Sequence, residues 1–136
     1  MSTDQYLALF IEESGEHLQT LAQTLIKLKR GAGPFDAALE QGFRSAHTLK
    51  GAAGLMKFPS MEETSRAMEA VLRGMKAGKA NIEPATVELL LKGLDGLKSC
   101  FTTAISEGSD AHIDNSEIIK ALYGTMDPKD LEGLVR

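Results

Sequence analysis

His47, Lys50, Gly51 and Gly54 stand at helical spacing within the run Phe43-Arg44-Ser45-Ala46-His47-Thr48-Leu49-Lys50-Gly51-Ala52-Ala53-Gly54. An imidazole with a cation one turn away can take up a phosphoryl group, because a neutral ring nitrogen is a nucleophile and an ammonium neutralises the incoming oxygens. The two glycines point the same way. Each costs about 1 kcal/mol relative to alanine inside a helix, and neither sits where a helix has to end. At 3.6 residues per turn both fall within about 40° of His47, so that face is expected to be bare for the approach of another protein. Lys50 on the next turn and Arg44 on the preceding one flank the ring. Leu39, Ala46, Leu49, Ala53 and Met56 gather on a face centred about 120° away, which puts the core there and the imidazole in solvent.

A second residue follows from the elements that must hold this one. Leu7, Ile11, Ser14, Leu18, Leu21, Leu25 and Leu28 alternate four and three apart, predicting a long amphipathic helix over 3–29 that ends at Gly31-Ala32-Gly33-Pro34. The helix bearing His47 is expected over 35–56. Lys57-Phe58-Pro59-Ser60 then breaks the chain, since proline suits the start of a helix and not its interior. A third helix over 60–76 carries Met61, Ser65, Met68, Leu72 and Met75 on one face, and a fourth over 84–107 carries Val87, Leu90, Leu94, Leu97, Phe101 and Ile105. With the break at Phe58, His47 lies 11 residues before it and Glu69 lies 11 after it. Antiparallel helices bring the two to the same height, where a carboxylate can accept a hydrogen bond from Nδ1–H and leave the Nε2 lone pair free to attack.

Asp114 followed by Glu117 reads as a capping box opening a short fifth helix over 115–123. Residues 1–125 form the domain, and 126–136 a tail that either holds another helical turn through Leu131 and Leu134 or begins a linker. The expected fold is all-α: an antiparallel up-down-up-down four-helix bundle with a short fifth helix.

Composition agrees. In 136 residues, 43% are hydrophobic but only 5% aromatic, with no Trp, so the core is built from Leu, Ala, Met and Ile. A formal net charge of −4 argues against a nucleic-acid partner. Cys100 is the sole cysteine, which rules out an intrachain disulfide and any C-x-x-C motif and fits a cytoplasmic setting. No stretch approaches the ~18 apolar residues of a membrane span, and Met1 to Gln5 has no leader-like pattern. There is no Gly-x-x-x-x-Gly-Lys-[Ser/Thr] loop, so phosphate must come from elsewhere.

The run from Phe43 to Phe58 closely resembles the signature of histidine-containing phosphotransfer (HPt) domains, in particular the N-terminal domain of the CheA type of chemotaxis histidine kinase. Phe10-Ile11-Glu12-Glu13-Ser14-Gly15-Glu16-His17-Leu18 is similar to the first helix of that domain, and Met68-Glu69 to the family's Met-Glu pair on the third. The resemblance spans roughly residues 3–125. It implies that His47 is the phosphorylation site, Glu69 its Nδ1 hydrogen-bond partner and Lys50 the phosphate-side cation. Arg44, Gly51, Gly54 and Arg66 are expected to line the docking surface that the bare glycine face suggests. The resemblance also implies that the domain is no enzyme on its own and binds no cofactor or metal. ATP and Mg belong to a separate kinase catalytic domain, and the phosphoryl group passes to an aspartate on a CheY- or CheB-like response-regulator receiver. The parent protein, if full length, would be a CheA-type histidine kinase. Two positions depart from the pattern: Arg66 stands where many members have a second histidine, and Gly42 replaces a branched apolar residue, which is expected to loosen the packing locally.

Two other functions compete. A helical adaptor would bind receivers or partner helices through the bundle surface without transferring phosphate. A metal-dependent bundle oxidoreductase would need Glu-x-x-His pairs repeated across helices, whereas Glu13 and His17 supply a single i,i+4 pair of the ordinary kind. Met61, Met68 and Met75 follow the core stripe, and nothing beside Cys100 activates a thiolate.

Overall fold

The computed structural model describes residues 2–79 and 81–135, with side chains up to Glu132; Met1, Ala80 and Arg136 lie outside the described residues, as does the side chain of Leu134. Six helices follow in order: α1 (Thr3–Arg30), α2 (Asp36–Met56), α3 (Pro59–Lys76), α4 (Pro84–Glu107), α5 (Ser116–Tyr123) and α6 (Pro128–Val135). The first four close a ring in which each packs on its chain neighbours and α4 returns to α1. The bundle is the expected one, and no strand interrupts it among the described residues. Within the tail, α6 is helical, and its Asp130 pairs with Lys79 at 3.8 Å.

Helix boundaries follow local chemistry. Ser2 and Gln5 form a capping box at the start of α1, and Gly31 ends it in the left-handed region at φ 71°. Pro59 stands in the first turn of α3, where its missing N–H costs nothing. The N–H groups of that turn, left without helical partners, find a distant one: the fully buried Asp110 accepts from Ser60 N at 3.2 Å and Met61 N at 2.7 Å. A carboxylate at a helix N-terminus also meets the positive end of the dipole. Ser60 Oγ donates to the Ile113 carbonyl at 2.7 Å and completes the clasp between the α4–α5 loop and the α2–α3 turn.

The capping box expected of Asp114 and Glu117 does not form. Asp114 Oδ1 accepts from Ser116 N at 2.9 Å, an Asx turn, and α5 starts after Asn115 without a side-chain cap. Asn115 is engaged inward instead: its Nδ2 donates to Thr64 Oγ1 at 3.1 Å and lies 3.3 Å from Cys100 Sγ. Cys100 is fully buried, and burial together with the Asp110 charge pushes its thiol up to about 12, which makes it a packing residue.

The core stripes lie where the periodicity places them, with Leu21, Leu25, Leu49, Met61, Met68, Leu72, Leu90 and Leu97 fully buried. α3 is enclosed most completely. It packs on α2, α4 and α5, and it buries Ala67, Glu69, Ala70 and Val71 in addition to its expected methionine stripe. α5 is therefore a wall of the core and not an accessory, and its Leu122 is fully buried.

Gly42 tightens the packing where loosening was expected. A Cβ built there would stand 2.6 Å from Thr24 Cγ2, so α1 and α2 cross too closely for any side chain at this point. Thr24 cannot yield easily, because it is β-branched and its Oγ1 donates to the Ala38 carbonyl at 3.0 Å. Overpacking costs about 1–3 kcal/mol against about 1 kcal/mol of regained helix propensity, so Gly42→Ala should destabilise the fold in urea unfolding, and by less in a Thr24→Ser background. Gly51, on the same helix, has open space around its Cβ position. Gly51→Ala should raise stability by about 0.5–1 kcal/mol in the same assay.

Candidate functional site

α2 and α3 form an antiparallel hairpin about Phe58, and residues equidistant from that pivot meet. Glu69 carries its carboxylate to His47, and Nδ1 and Oε2 lie 2.5 Å apart. Gly54, four residues before the pivot, lies under the carboxylate of Glu62, four after it. Phe43 and Arg73, each 15 residues out, meet with the guanidinium 5.3 Å from the ring centroid. Glu40 and Lys76, each 18 out, form an ion pair. Lys50 reaches diagonally, its Nζ 3.0 Å from Glu69 Oε1.

The two central residues differ sharply in exposure. The Glu69 residue is 2% exposed, whereas the His47 side chain is 61% exposed, as the face analysis of α2 required. Burial pushes the Glu69 carboxyl up, but the hydrogen bonds and charges of Lys50 and His47 outweigh it and hold the group below the usual carboxylate range. An ionised carboxylate only accepts, so Nδ1 carries the hydrogen and Nε2 is left as the free nitrogen of an accessible ring.

The imidazole is steadied from its other side by Phe43, whose ring stacks on it at 6.2 Å and 24°. Lys76 Nζ stands 4.9 Å from the same Phe43 centroid. Arg44 does not turn to His47: its Nε donates to Glu40 Oε1 at 2.6 Å, and Lys76 and Arg44 together hold the Glu40 carboxyl low. Arg44, Phe43, Glu40, Lys76, Thr48, His47 and His17 line one open groove of about 500 Å³.

Of the docking residues read from the sequence, Gly51 is exposed and bare. Gly54 is half covered by Glu62, so the open surface is smaller than the two glycines implied. Arg66 lies 3.4 Å from that same Glu62 and makes no bond to His47. His17 faces Ser45 Oγ at 3.5 Å and takes no part in a metal cluster; among the described residues no three His, Cys, Asp or Glu side chains are grouped to hold a metal ion.

Sequence reasoning missed Phe43, Arg73, Glu40 and Lys76. The signals were present, since Phe43 and Arg73 stand four residues from His47 and Glu69. The pivot count that found Glu69 also pairs the rest.

Comparison with known proteins gives a consistent result. The family model for the Hpt domain matches residues 5–100. The chain is 30% identical over 130 residues to the chemotaxis protein CheA of Halobacterium salinarum, covering 96% of this chain and 19% of that protein. It spans under a fifth of the length of the first curated relatives it matches. The solved histidine phosphotransfer domain of CheA superposes with a TM-score of 0.82 at 28% identity, covering 94% of this chain and 97% of that one. The phosphorylated P1 domain of CheA3 from R. sphaeroides, solved in complex with CheY6, shares the fold at a TM-score of 0.82 and 20% identity, covering 96% of this chain and 98% of that one.

The lowered Glu69 carboxyl ties stability to acid. A depressed folded value contributes stability that is complete above the ordinary carboxylate range and lost as pH falls through the folded value. The stability advantage of the wild type over Glu69→Gln, read from urea midpoints, should be present at about pH 5 and shrink below about pH 4.

Proposed function

The chain belongs to the Hpt domain family, and from that membership we propose that His47 is its phosphoryl acceptor, Glu69 the base that orients the ring and Lys50 the cation for the phosphoryl oxygens. The observation that carries the reading is the 2.5 Å contact between Nδ1 of the exposed His47 and Oε2 of the buried Glu69. It holds the hydrogen on the inner nitrogen and presents Nε2 outward.

In the forward step the Nε2 lone pair attacks the γ-phosphorus of ATP held by a separate kinase catalytic domain, together with the Mg ion that accompanies it. The bond from phosphorus to the ADP oxygen breaks, and ADP leaves with the electron pair. Nδ1 keeps its proton, so the phosphorylated ring is cationic, and Glu69 stabilises that charge at close range. In the second step an aspartate oxygen of a response-regulator receiver, CheY- or CheB-like, attacks phosphorus, and the N–P electrons return to Nε2. The groove over His47 and the bare surface at Gly51 are the approach for both partners. The complex of the phosphorylated P1 domain with CheY6, a domain of the same fold, supports a receiver as partner.

The domain acts as a phosphorylated substrate within a CheA-type chemotaxis system. Histidine kinase activity belongs to full-length CheA-type proteins, and the setting proposed for this domain is the cytoplasm, where ATP and receivers are found. Among the described residues no helix is long and apolar enough to cross a membrane.

Incubation with an ATP-charged CheA-type kinase domain should yield acid-labile, base-stable phosphate on the wild type and none on His47→Gln. Labelling that persists in the variant rejects the assignment, and receiver binding without any transfer would favour the adaptor. Glu69→Gln, which keeps size and loses charge, should slow labelling by roughly ten- to a hundredfold, the worth of one hydrogen bond to a charged group.

A further inference from the structure

Glu69 holds more cations than one buried carboxylate in contact with a histidine requires. Oε2 meets His47 Nδ1, while Oε1 is shared by Lys50 Nζ at 3.0 Å and Arg73 Nη2 at 3.3 Å. The two cations differ in kind. Lys50 is a flexible ammonium that reaches across from α2, the helix that bears His47. Arg73 stands four residues after Glu69 on α3 itself, the favourable order for a helical pair, and its guanidinium also lies over the ring of Phe43 that stacks on His47. Arg73 thus touches both groups that hold the imidazole. Lys76, the other cation nearby, is taken up by Glu40.

Phosphorylation changes the demand on these charges. Phosphoryl oxygens on Nε2 draw the mobile ammonium of Lys50, which cannot serve them and Glu69 Oε1 equally well. Glu69 then meets the cationic ring through Oε2 alone, and a buried Oε1 left without a donor is costly and loosens the hold of the carboxylate on Nδ1–H.

We propose that Arg73 is a positioning residue for the phosphorylated state: it is the cation that stays on Glu69 when Lys50 turns to the phosphoryl oxygens, so that the Nδ1–H bond survives in both states. The inference rests on His47 being the phosphoryl acceptor. With Lys50 in place Arg73 is the looser partner, and it is Lys50 and His47 that lower the Glu69 carboxyl. The role of Arg73 begins when Lys50 leaves.

The test uses phosphoramidate, a small donor that needs no kinase, on the wild type, Arg73→Ala and Arg73→Lys. Two quantities are read: the His47 Nδ1–H signal by proton–nitrogen NMR before and after phosphorylation, and the lifetime of the phosphohistidine. Before phosphorylation all three proteins should show the signal, because Lys50 suffices. Afterwards Arg73→Ala should lose it to exchange with water and hydrolyse roughly five- to tenfold faster, while Arg73→Lys stays within about twofold of wild type. Wild-type signal and lifetime in phosphorylated Arg73→Ala overturn the proposal. Loss of the signal in that variant already before phosphorylation overturns it too, since Arg73 would then be a constant structural support. Labelling that survives His47→Gln is a separate failure, that of the acceptor assignment, and removes the inference with it.

Discussion

A carboxylate taken out of water must be met by charge and hydrogen bonds at close range, and Glu69 is the group around which this molecule satisfies that requirement. An uncompensated charge in such a place would cost on the order of 3–5 kcal/mol. With its partners present, the same burial becomes useful. Water cannot compete for Oε2, the nearby cations keep the group ionised, and the imidazole outside has one nitrogen whose state is settled by the protein and one that faces solvent. Had Glu69 stood on an exposed face, the hydrogen bond to His47 would be worth little and the tautomer would be free to change.

The rest of the bundle can be understood as what it takes to bury one turn of α3. Met68, the residue before Glu69, sits under α4 at Gly93, where an added Cβ would come within 3.0 Å of its sulfur. α5 covers another side with Leu122. The loop at Asp110 caps the start of α3, so its first turn stays tight although no local side chain caps it. Each of these residues affects the imidazole through the position of the helix that carries its base.

Much of this was legible in the chain. Four amphipathic stripes and one proline break are enough to define the hairpin, and counting from Phe58 places Glu69 across from His47. The parts that escaped are of two physical kinds. Contacts between segments far apart in the chain, such as Asp110 on the first turn of α3 and Asn115 on Thr64 and Cys100, leave no periodic trace, and Asn115 was drawn inward from the start of α5 by partners that no local motif reveals. Other residues were visible as types but not as roles. Arg73 carried no reading at all and Phe43 only its place in the motif, because pairwise geometry and not composition distinguishes a surface ion from a brace. Gly42 was read as a defect, since its meaning lies wholly in the neighbouring Thr24.

The hairpin about Phe58 behaves as a ruler with its zero at the turn. Its rungs pair Gly54 with Glu62, His47 with Glu69, Phe43 with Arg73 and Glu40 with Lys76. One residue inserted between the turn and a rung would rotate every rung beyond it on that helix by about 100° and shift it by about 1.5 Å. No single side-chain replacement could undo that change. Length between His47 and Glu69 is thus a stricter requirement than the identity of the residues that fill it.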